Sequence, residues 1–147
     1  MKSIQTEILI NADAATVWNI LTDFSRYSEW NPFIRNSEGI AKVGTKLTNT
    51  MHLEGQKPQT FTPVILEVEP LQSFRWRGSL GVRGLFDGEH YFRIEPQGER
   101  QVRLIHGEQF SGILSGMILK MIGAATEQGF IAMNNALKIR AESETTL

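Results

Sequence analysis

Residues 113–140, ILSGMILKMIGAATEQGFIAMNNALKIR, are the one long stretch of the chain with sustained helical periodicity and no proline. Within it Leu114, Met117, Ile118, Met121, Ile122, Ala125, Ala132, Met133, Ala136 and Leu137 recur at i, i+3, i+4 and i+7, the spacing of one buried helix face. Most of what precedes it reads as strands. A long amphipathic helix after a run of strands predicts an α+β domain with the sheet wrapped around the helix, because each element has an apolar face that only the other can cover. That arrangement leaves room for a cavity between them.

Upstream, residues 3–10 alternate, with Ile4, Thr6, Ile8 and Ile10 on one side, as a half-buried first strand does. Asp13 is placed to cap a short helix running to about Thr22, with Val17, Trp18 and Leu21 on one face. A second short turn covers residues 25–29 and ends at Trp30-Asn31-Pro32, since a residue before proline is pushed out of the helical region. Further strands are expected over about 33–37, 45–53, 60–69, 73–78, 86–95 and 101–110, seven in all with the first. Pro63 calls for a bulge or an edge position, and Pro96-Gln97-Gly98-Glu99-Arg100 marks a hairpin. The last residues, 143–147, are expected to fray.

The chain has 147 residues, 41% hydrophobic and 21% charged, which suits a single domain over residues 1–147. A net charge of −1 and a pI near 6.3 give no positive field for phosphate contacts, so nucleic acid is not an expected partner. Without cysteine there is no disulfide, thiolate nucleophile or thiolate metal site. Gln5, Thr6 and Glu7 interrupt the N-terminal segment where an export signal needs an apolar run, and Lys120 interrupts residues 113–125, so no membrane insertion is expected. A cytoplasmic monomer or weak homodimer fits these features.

Three stretches, NADAATVWNILTDFSRYSEWNP (residues 11–32), GLFDGEHYFRIEP (84–96) and EQFSGIL (108–114), resemble the SRPBCC group of the START-like, helix-grip superfamily, in its polyketide cyclase/dehydrase and lipid-transport-like branch. The resemblance spans nearly the whole chain. It implies a helix-grip fold: a seven-stranded curved antiparallel sheet, two short helices after the first strand, and a long C-terminal helix packed across the sheet to enclose a cavity. It also implies a hydrophobic small-molecule ligand and no cofactor. Trp18, Asp23, Phe24, Tyr27, Trp30 and Pro32, which carry much of it, are expected to be structural.

The 86–110 hairpin narrows the site. With its turn centred at Gly98, cross-strand partners sum to about 196, pairing Phe92 with Leu104, His90 with His106 and Phe86 with Phe110, with Glu108 next along the same face. Two readings of the polar trio stand. Either the imidazoles are satisfied polar groups at a cavity mouth, or they form a polar floor that orients a ligand oxygen, with His90, His106 or Glu108 as acid or base. No metal site is expected. Trp76 is the expected aromatic wall, with Asn49 and Met51 on a neighbouring strand, and Phe86, Phe92, Leu104 and Phe110 complete the sheet side. Met117, Met121 and Ala125 are the expected helix side. Gly78, Gly81, Gly84 and Gly88 bracket apolar residues in a segment that reads equally as a lid or as a hairpin turn packed on the helix. The expected function is binding of a hydrophobic or aromatic small molecule. The alternatives are a cyclase or dehydratase using the His/Glu trio, and a protein-interaction domain using residues 80–86.

Overall fold

The computed structural model describes residues 2–145. The alternating segment forms β1 (Lys2–Ile10), with Ile4, Thr6, Ile8 and Ile10 turned inward. Asp13 then caps α1 (Ala14–Thr22), its carboxylate accepting the Thr16 amide at 2.8 Å, and Val17 and Leu21 are buried. A 3-10 turn over Phe24–Glu29 follows. Asn31 Oδ1 accepts the amides of Phe33 and Ile34, both at 2.9 Å, and the buried Tyr27 hydroxyl donates to the Leu21 carbonyl at 2.5 Å. Tyr27 and Asn31 therefore hold a corner together.

The remaining strands are β2 (Ile34–Glu38), β3 (Thr48–Met51), β4 (Gln59–Phe61), β5 (Val64–Glu69), β6 (Ser73–Ser79), β7 (Asp87–Gly98) and β8 (Gln101–Ser111), followed by α2 (Ser115–Thr145). Antiparallel strands run β1-β8-β7-β6-β5 in one sheet and β2-β3-β4 in a second. The seven expected strands become eight among the described residues, because the strand expected over 60–69 divides at Pro63, which has no N–H to give a ladder. The two sheets join there: Lys46 bridges Val64, and the Leu47 amide donates to the Pro63 carbonyl at 2.8 Å. On β5 the register shifts between Ile65 and Glu67, and Ile65, opposite the buried Trp76, supplies the fully buried side chain.

The β7–β8 hairpin differs from expectation by two residues. Its turn is Glu99-Arg100, Gly98 pairs with Gln101, and a bulge between Pro96 and Gly98 sets the pairing at Ile94 with Leu104, Phe92 with His106, His90 with Glu108 and Gly88 with Phe110. A shift of two preserves which face each side chain occupies. His90 and His106 become diagonal neighbours, and the rings of Phe86 and Phe110 still stack at 5.5 Å.

Helix α2 buries Thr126, Phe130, Met133, Leu137 and Ala141. Its second half is tied to β1 and the 3-10 turn: Lys138 donates to the Leu9 carbonyl at 3.1 Å, the Asn11 amide to Glu142 at 2.9 Å and Arg140 to Glu29 at 2.7 Å. The helix runs on through Ser143 and Glu144, where fraying was expected; Thr146 and Leu147 lie outside the described residues. No helix among the described residues is long and apolar enough to cross a membrane.

Two helix glycines differ in a measurable way. A Cβ at Gly123 meets only Leu119 Cβ at 3.9 Å, whereas one at Gly129 would stand 2.5 Å from the ring of Phe33, which is fully buried. Gly123→Ala should stabilise the protein by about 0.5–1 kcal/mol. Gly129→Ala should destabilise it by about 1–3 kcal/mol through overpacking. Urea unfolding of both variants checks the contrast, and equal effects would contradict this packing.

Candidate functional site

A cavity of about 130 Å³ lies between the sheets and the first half of α2. Trp76 and Phe110 wall it from the five-stranded sheet, Phe86 from the turn just before β7, Asn49, Met51 and Phe61 from the smaller sheet, and Ile122 and Thr126 from the helix. Exposed Gln56, Lys57 and Gln59 stand at its mouth. Among the described residues Glu108 is the one carboxylate in the lining, and Gly88 on the neighbouring strand makes room for it, since a Cβ there would collide with Glu108 Oε2. Asn49 is buried, its Oδ1 accepting from the Ser37 hydroxyl at 2.5 Å.

Behind Glu108 a line of polar side chains runs into the core. Glu108 Oε1 lies 3.4 Å from His90 Nδ1, His90 Nε2 lies 2.7 Å from His106 Nε2, and His106 Nδ1 lies 2.8 Å from Asn134 Oδ1. Asn134 Nδ2 donates to Thr6 Oγ1 at 2.8 Å, and the Thr6 hydroxyl donates to the His106 carbonyl at 2.9 Å. The strands β7, β8 and β1 and helix α2 each contribute. Both imidazoles are fully buried among rings: Phe130 stacks on His106 at 4.2 Å and Trp76 on His90 at 4.9 Å. Burial, and next the neighbouring His90, hold the proton affinity of His106 well below that of an ordinary histidine, against a smaller opposite effect of the Asn134 bond.

Of the residues expected at the site, Asn49, Met51, Trp76, Phe86, Glu108 and Phe110 line the cavity. His90, Phe92, Leu104 and His106 do share their face, but they lie buried in the core and outside the lining. Met117 and Met121 are a correction: they are 57% and 76% exposed, on the outer side of α2. Ala125 is half-buried and also outside the lining. The apolar residues of 113–122 surround much of the helix, so their spacing alone allowed the wrong phase. The positions missed, Ile122 and Thr126, follow once the phase is taken from Phe130, Met133 and Leu137. Among the described residues no group of His, Asp or Glu converges to hold a metal ion.

The glycine-bracketed segment is a docked turn. Ser79 Oγ donates to Asp87 at 2.6 Å and the Gly84 amide to the same carboxylate at 3.0 Å. The Gly84 and Leu85 carbonyls accept from the amides of Ile113 and Leu114 at 3.1 and 2.9 Å, binding the turn to the start of α2.

Residues 1–142 match the family model described as polyketide cyclase / dehydrase and lipid transport. The chain belongs to this family. Among solved structures, the Zhui aromatase/cyclase from a Streptomyces species superposes with a TM-score of 0.80 at 18% identity, covering 98% of this chain and 95% of that one. Norcoclaurine synthase from Thalictrum flavum, in complex with dopamine and hydroxybenzaldehyde, gives 0.73 at 16% identity, with 97% and 87% covered. A START superfamily protein from Mycobacterium smegmatis gives 0.73 at 21% identity, with 96% and 97% covered. At these identities the likeness is one of fold. No curated protein matches the sequence. The polyketide cyclase/dehydrase fold thus carries here a cavity of about 130 Å³ with a histidine pair behind Glu108.

The depressed proton affinity of His106 links folding to pH. The unfolded chain takes up a proton at His106 near pH 6.5 that the folded chain refuses, so this contribution is fully present above about pH 6.5 and is lost as pH falls. The slope should reach about 1.4 kcal/mol per pH unit at most. Urea titrations between pH 7.5 and 5.5 should show it, with a shallower slope in His106→Gln; equal slopes would contradict the assignment.

Proposed function

We propose that the protein binds a small hydrophobic molecule with one aromatic or similarly sized ring in the cavity between sheet and helix. The observation that carries this reading is the cavity itself: about 130 Å³, walled by Trp76, Phe86 and Phe110, with a polar mouth at Gln56, Lys57 and Gln59. At about 24 cal/mol per Å³, such a space costs about 3 kcal/mol of packing relative to a filled interior, a cost that an occupant offsets. The volume lies below the 300–1,000 Å³ usual for drug-sized ligands, so a single ring or short chain fits the space and anything larger extends through the mouth. Membership of the family and the ligands named for the norcoclaurine synthase neighbour support the same class.

A second reading, an enzyme of the cyclase or dehydratase kind, is favoured by one observation: the carboxyl group of Glu108 at the cavity wall, backed by His90 and His106. It needs the same binding step first.

Incubation with lipid and aromatic-metabolite extracts followed by native mass spectrometry should recover a bound species. Thr126→Phe, which places a ring in the cavity, should reduce its occupancy by about tenfold or more. Recovery of nothing, or equal recovery from the variant, would overturn the binding reading.

A further inference from the structure

Across β2, β3 and β4 the residues Ser37, Asn49 and Phe61 stand opposite one another in a single row, so their side chains share the inward face of the smaller sheet. Asn49 is 1% exposed and Ser37 6%. A buried amide must satisfy both ends, an oxygen that accepts and a nitrogen with two N–H groups to give. Ser37 takes up one end, its Oγ lying 2.5 Å from the Asn49 side chain. That separation fits O–H···O and is too short for N–H···O, so the atom facing Ser37 is Oδ1 and the hydroxyl donates to it. Nδ2 is thereby turned away from Ser37.

Among the described residues nothing accepts from Asn49 Nδ2. The side-chain nitrogens sealed in the interior without a partner are Asn31 Nδ2 and His90 Nδ1, and Asn49 Nδ2 is not one of them. It therefore has open space beside it, and the space that Asn49 borders is the cavity. The hydroxyl donors of the lining are already spent: Ser79 on Asp87 at 2.6 Å and Thr126 on the Ile122 carbonyl at 2.9 Å. Asn49 keeps its N–H pair for whatever occupies the space.

An occupant that presents hydrocarbon to this pair leaves two donors desolvated and unmade, whereas one that presents an acceptor replaces the bond to water in kind. A site of that sort rejects analogues lacking the acceptor, because its own polar atoms would go unpaired. We propose that Asn49 determines the specificity of the cavity, and that the molecule bound there carries a carbonyl-type oxygen placed to accept from Asn49 Nδ2. Ser37 is a positioning residue: by donating to Oδ1 it keeps the amide from turning over and offering oxygen instead. This assignment rests on the cavity being a ligand site, and it deepens that reading by naming the polar group of the ligand.

Acetophenone and α-methylstyrene test it, being planar single-ring isosteres that differ by oxygen against CH₂. The acetophenone-to-α-methylstyrene affinity ratio, read from NMR titrations, should fall about five- to tenfold in Asn49→Leu and by a smaller factor in Ser37→Ala, whose amide is free to turn. An unchanged ratio in Asn49→Leu would overturn the assignment while leaving the binding reading intact. In the unmodified protein, the side-chain amide protons of Asn49 should move downfield with acetophenone and not with α-methylstyrene. Equal shifts with both probes are the mark of a nearby ring and not of a hydrogen bond, and would overturn the assignment without recourse to any variant. Failure of both probes to bind the unmodified protein would instead overturn the binding reading, and the ligand assignment with it.

Discussion

Two imidazoles with their Nε2 atoms 2.7 Å apart in a fully buried site cannot both carry a proton on the facing nitrogens, and neither can be left without a partner. Much of the architecture answers that requirement. Asn134 from α2 and Thr6 from β1 complete the bonding of His106, and Phe130 from the same helix packs against both imidazole rings. The helix cannot rotate about its axis without withdrawing Asn134 and Phe130 together. The polar chain therefore sets the helix phase as firmly as the apolar contacts do, and that phase decides which side chains meet the cavity.

The hydropathy pattern made the order of elements legible, because strand alternation and helical periodicity persist through most segments. The corner at residues 13–32 was legible in part: Asp13 reads as an N-cap and Pro32 as a stop, whereas the bonds that Tyr27 and Asn31 make there came only from the structure. The hairpin register was not readable, since a bulge at Pro96 to Gly98 depends on how the turn closes. The error of two residues kept every side chain on its proper face, which is why His90, His106 and Glu108 could be grouped from sequence. It hid their order along the chain of bonds. Depth was also invisible: alternation says inward, but it does not say that Phe130 will cover two inward histidines and leave one inward carboxylate uncovered.

Met117 and Met121 show the opposite limit. A methionine stripe reads as an adaptable wall, yet residues 113–122 have apolar groups around much of the helix, and only the downstream contacts select a phase. Gly129 lets Phe33 lie against the helix, and Phe33 in turn borders the cavity.

The two rims of the cavity differ mechanically. On one side the 80–86 turn is fastened to Asp87 and to the amides of Ile113 and Leu114 just ahead of α2, so moving it would disturb the approach to the helix. On the other side the short strands β3 and β4 belong to a separate three-stranded sheet, joined to the main one around Pro63. One rim is stitched to the approach to the helix, and the other comes from strands that carry no member of the histidine chain, so substitutions at Met51, Gln59 or Phe61 change the cavity lining while leaving the bonds of His90 and His106 in place.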